Sequence, residues 1–176
     1  MYNREQLKEK ANSAKDKVGT IGPDIDLDSF DDAPVVHSYL ADEDLCELPQ
    51  YEQDRLIMAG LDVTKKDRGG TYFQKDTSVI HCHSRQDGIE VSSIRDALDK
   101  YDWVRDYYWK LVNVDTDKYT AAAELGLHDG YVIRSHPGSK SIYPVQACLY
   151  LDKNGLQQNV HNIIAVSYTH LRAHET

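Results

Sequence analysis

Residues 130–164 run GYVIRSHPGSKSIYPVQACLYLDKNGLQQNVHNII, and the texture is β throughout. Three runs, 131–134, 142–151 and 156–164, are short and rich in Val, Ile and Tyr, as strands are. Pro137-Gly138 separates the first two runs and Asp152-Lys153-Asn154-Gly155 the last two; both are turn-forming combinations. No Asp or Glu interrupts the runs, which argues against paired surface acids of the kind a glycosidase needs.

Upstream the pattern is mostly helical. Asn3 can cap a helix over residues 3–18, with Gln6 three positions on and Leu7, Ala11, Ala14 and Val18 on one face. That stripe is thin, so the helix reads as exposed or loosely docked. Pro49 starts a second helix that Gly60 ends. Residues 71–84 alternate and read as one or two strands; 88–91 is another. Ser93 caps a helix through Ile94, Ala97, Leu98 and Tyr101, which continues after a break near Asp102 to Leu111. Asp115 or Thr116 caps a last helix that Gly126 stops. The expected fold class is therefore α+β, with an N-terminal region over 1–128 and a β core over 129–165.

The chain has 176 residues and a formal charge of −9, from 20 Lys+Arg against 29 Asp+Glu. With 40% hydrophobic and 28% charged residues it has a globular-domain composition. No apolar run is long enough to span a bilayer, and the N-terminus lacks a signal-peptide core. The acidic balance argues against phosphate neutralisation, hence against nucleic acid as a partner. Cys46, Cys82 and Cys148 are too few and too scattered for a disulfide framework, which points to the cytoplasm.

Four stretches could carry chemistry. Asp24, Asp26 and Asp28 alternate as in a calcium loop, but the required Gly and Glu positions hold Ser29 and Val35, so 24–48 reads as a solvated acidic connector. His81-Cys82-His83 lies in a strand pattern. His81 and His83 then share one face and Cys82 takes the other, giving two imidazoles that could hold zinc or copper with a further ligand. A small metal-binding or sensing protein is the alternative function. Tyr101, Trp103, Tyr107, Tyr108 and Trp109 recur at helical spacing with acids between them and read as core. Residues 135–140 read as a surface turn. There is no phosphate loop, Cys-x-x-Cys or His-Glu-x-x-His, so no catalytic set is expected and the chain reads as no enzyme.

Residues 166–176, VSYTHLRAHET, look like the in-frame translation of a sequencing-library adapter. The expectation is a non-native tail on a truncated polypeptide.

Six strings in order resemble the N-terminal part of the SufB/SufD family: Gly22-Pro23-Asp24-Ile25-Asp26-Leu27, residues 100–107, residues 114–120, Gly130-Tyr131-Val132-Ile133-Arg134, Pro144-Val145-Gln146-Ala147-Cys148-Leu149 and residues 158–164. The resemblance implies a scaffold subunit for iron–sulfur cluster assembly, with a right-handed parallel β-helix whose first rungs begin near residue 129. It implies a SufC-type ABC ATPase and a second SufB/SufD-type subunit as partners. It implies an iron–sulfur cluster carried transiently by the full-length protein and none on this segment, whose cluster-handling and ATPase-docking parts lie further on. Each rung of such a stack leaves an apolar face that only the next rung covers, so Cys148 and Val160 are expected in the interior.

Overall fold

The computed structural model describes residues 2–40, 45–64 and 66–166. The tail expectation therefore lies outside the described residues except at Val166, which ends a strand.

Among the described residues, five α-helices and six strands follow in the order α1 (Arg4–Ala14), α2 (Gln50–Met58), β1 (Gly70–Lys75), β2 (Ser78–Ser84), β3 (Ile89–Ser93), α3 (Ile94–Lys100), α4 (Asp102–Tyr107), α5 (Lys118–Leu125), β4 (Tyr131–Ser135), β5 (Val145–Tyr150) and β6 (Ile163–Val166). The α+β expectation holds. The strands form two three-stranded sheets, ordered β2-β1-β5 and β3-β4-β6. In each, the first pair is antiparallel and the second parallel. The two sheets face one another over Tyr72, Ile89 and Val91, with Val79, Cys82, Tyr131, Ile133 and Val145 around them. Gly70 permits the close approach: a Cβ there would stand 2.7 Å from the Val91 side chain.

The strand from β4 to β6 travels around the sheet pair. β4 lies in one sheet, β5 in the other, and β6 returns beside β4, parallel to it. Two isolated parallel bridges, Asp31 to Leu156 and Asp129 to Val160, mark the return path. Residues 145–166 thus stack in parallel on a layer assembled from β1, Asp31, Asp129 and β4. Both sheets contain strands from either side of residue 128.

Outside the sheets sit the helices. α2 buries Leu56 with Leu45, Leu61, Val63, Phe73 and Ile80. Ile94, Ala97, Leu98 and Val104 of α3 and α4 cover Val132. α1 is firmly docked, against expectation. Its Ala11 and Ala14 are fully buried against Val114 and Ala121, because a stripe of alanines lets two helices approach closely. Asn3 Oδ1 caps it, accepting from the Glu5 and Gln6 amides at 3.0 and 3.2 Å. Asp117, not Asp115 or Thr116, caps α5, in a reciprocal box with Thr120.

The acidic connector also differs from a solvated strap. Asp24 pairs with Lys118 at 2.7 Å and Asp31 with Lys153 at 2.6 Å. His37 Nε2 meets Asp76 Oδ2 at 2.8 Å. Its cations come from later in the chain, so local composition does not reveal them. Residues 41–44 of this connector lie outside the described residues.

Candidate functional site

The His81-Cys82-His83 strand is β2. Its alternation places His81 and His83 on one side, with ring centroids 6.1 Å apart. His81 is buried and its Nδ1 lies 2.9 Å from the Leu40 carbonyl, which can only accept, so Nδ1 carries a proton. His83 is exposed. Cys82 takes the opposite face, between the sheets, where burial and then the charges of Asp96 and Asp129 push its thiol up to about 12. A thiol held protonated is a poor metal ligand. Among the described residues no group of three His, Cys, Asp or Glu could hold a metal ion. Cys148 packs with Phe73 under α2, not between the sheets, and burial raises its thiol too.

The unusual surface lies elsewhere, at the end of the sheet pair where β5 and β6 are the outermost strands. Register fixes which side chains face inward. Ala147 and Leu149 align with Tyr72 and Gln74, and Ile164 and Val166 with Ile133 and Ser135. These inward residues are the exposed ones: Leu149 at 37%, Ile164 at 62% and Val166 at 45%. At the other end Ile89 and Val91, which face the same interior, are 7% exposed. The outward residues Cys148 and Ile163 are half-buried under the helices. An ordinary sandwich hides its interior and exposes its outside; here one end is inverted.

Beside β6 this end continues into a groove walled by Trp103, Tyr107 and Trp109. Glu124 of α5, itself buried, builds the wall: its Oε2 accepts from the Tyr108 hydroxyl and from Trp109 Nε1, both at 2.7 Å. Trp109 takes a left-handed backbone conformation, φ 55°, so the chain turns where the sequence pattern continues the helix to Leu111. His161 sits between the Tyr108 and Trp109 rings, 4.4 and 4.6 Å away, and burial lowers its imidazole to about 4. It is therefore neutral at physiological pH. Glu124, His161 and the β6 edge are the residues sequence reasoning missed. The one available signal was Glu124 on an otherwise apolar helix face, Ala121 to Leu125.

This end leaves two parallel strand edges and their inward side chains open among the described residues. No protein-family model matches the chain. Curated relatives do. An iron–sulfur cluster assembly SufBD family protein of Methanothermobacter thermautotrophicus strain Winter is 40% identical over 173 residues, covering 92% of this chain and 40% of the relative. Its counterpart in strain Delta H is 39% identical over 168 residues, with the same two coverages. A SufBD family protein of Archaeoglobus fulgidus is 44% identical over 113 residues, covering 64% of this chain and 30% of the relative. The chain belongs to the SufBD family. It spans 40% of the length of the two Methanothermobacter relatives. Among the described residues no helix is long and apolar enough to cross a membrane.

Proposed function

We propose that the chain is part of a scaffold subunit for iron–sulfur cluster assembly, a cytoplasmic protein and no enzyme in itself. The likeness of 92% of the chain to SufBD proteins named for that role carries the reading. The path from β4 through β5 to β6 supports the fold part: it is one turn of a coil, which a right-handed parallel β-helix would repeat. The exposed inward face of β5 and β6 is then the seat of the next rung. The cluster is cargo, held by thiolates and imidazoles in the part of the protein this chain does not span; no ligand is assigned to the segment. A SufC-type ABC ATPase supplies the nucleotide chemistry, and a second SufB/SufD-type subunit completes the assembly.

The test compares this chain with a full-length gene product, both purified without oxygen and incubated with iron and sulfide. The longer protein is expected to gain the iron–sulfide absorption and to co-purify with the ATPase; this segment is expected to do neither. A cluster or a stoichiometric zinc ion on the segment, lost in His83→Ala, would return the question to His81, Cys82 and His83.

A further inference from the structure

The groove beside β6 encloses roughly 700 Å³. Its floor is β6, whose outer edge has no strand beside it among the described residues, with Ile163 and Ala165 on the helix side. Its wall is held by contacts within the chain. Trp109 is tied to Glu124 and meets His161 edge to face, and the Arg134 guanidinium lies 4.9 Å from the Trp103 ring centroid. Leu111 stands at the rim, 95% exposed. A left-handed Trp costs on the order of 1 kcal/mol, and here it buys no burial for Leu111.

We propose that the groove seats an extended segment of the longer polypeptide, lying parallel to β6 as the next coil and placing an apolar side chain between Trp103 and Trp109. The inference rests on the coil reading above and adds the aromatic wall as a clamp on the incoming strand. Three observations favour the chain's own continuation over a second copy. The strands at this end are added in parallel: β5 on β1, β6 on β4, and both isolated bridges. An edge that meets its own copy about a two-fold axis runs antiparallel. The relatives, of which this chain spans 40%, carry the extra length, and a formal charge of −9 opposes self-association.

Trp103 and Trp109 are the two tryptophans of the sequence, and both line the groove. Trp103→Phe leaves Trp109 as the reporter for acrylamide quenching, measured in this chain and in a full-length gene product with the same substitution. Amide exchange at Ile164 and Val166 is followed in parallel. The expected result is a several-fold drop in Trp109 quenching, with slowed exchange, in the longer protein. Slowed exchange with Trp109 still open would overturn the clamp and leave the coil standing. Unchanged exchange and quenching would overturn the coil and the clamp together. Protection already present in this chain and rising with its concentration would make the occupant a second copy and overturn the assignment. If Trp103→Phe folds poorly, the unsubstituted pair of chains gives the same comparison with both indoles reporting.

Discussion

The two ends of the sheet pair are made of similar strands and finished in opposite ways. At one end β2 and β3 turn back antiparallel. Residues 35–40 run along β2, with the Leu40 amide donating to the Ile80 carbonyl at 2.7 Å. Ser84 Oγ accepts the Val91 amide at 2.7 Å and joins the two sheets at their corner. No inward apolar residue of β3 is left open. At the other end β5 and β6 present parallel edges and exposed inward side chains. Antiparallel return and covered edges stop further pairing; parallel edges with an uncovered interior invite it. Among the described residues, the difference leaves one end closed and the other open.

The widest gap between the ends should appear on truncating core residues. Phe73→Ala, on the strand buried on both faces, is expected to cost about 3–5 kcal/mol, while Ile164→Ala costs under about 0.5 kcal/mol. Urea denaturation of both variants checks this, and equal losses would mean the open end is already covered. Gly130 sits where the parallel layer is stitched on. Its φ is +140° and a Cβ would lie 2.1 Å from the His161 carbonyl oxygen, so Gly130→Ala should cost at least about 2 kcal/mol. Loss of protection at the His161 amide, which donates to Asp129 at 3.1 Å, would localise the damage.

Smaller effects come from two buried carboxyls, Asp117 and Asp129. Burial opposes the Asp117 charge, but the Thr20 and Thr120 amides and the Thr20 hydroxyl outweigh it and hold the carboxyl at about 2. Its folded value lies below its unfolded one, so it contributes fully above pH 4, and the contribution fades as pH falls towards 2. Asp117→Ala should lose about 1–2 kcal/mol at pH 7 and less in acid, read from thermal melts across that range. Asp129 has the opposite sign. Burial, partly offset by Arg95, raises it to about 6. The folded state then binds the proton more tightly, so stability falls as pH rises from 4 to 6 and levels off above. Asp129→Asn should remove that slope, about 3 kcal/mol over the whole range; a slope that survives would place its source elsewhere.

Much of the local structure was legible in the residues. Asn3 and Ser93 caps, the break at Asp102, the stop at Gly126 and the strands beginning at Tyr131 all follow from chemistry within a few positions. So did the pairing of His81 and His83 on one face, which alternation alone dictates. The helix beyond Tyr107 was not legible, because Glu124, 15 positions from Trp109, ends it by holding the indole. The acidic connector misled for the same reason: Lys118 and Lys153, which neutralise Asp24 and Asp31, are distant in sequence.

The sequence by itself determined most helices and strands, the family, and the absence of familiar catalytic motifs, since each depends on neighbours along the chain or on ordered strings of residues. Tertiary structure alone decided that β5 joins β1 while β6 joins β4, that one end is sealed, and that Leu149, Ile164 and Val166 face an uncovered interior. Periodicity tells which side chains share a face; only the pairing of distant strands tells what that face meets.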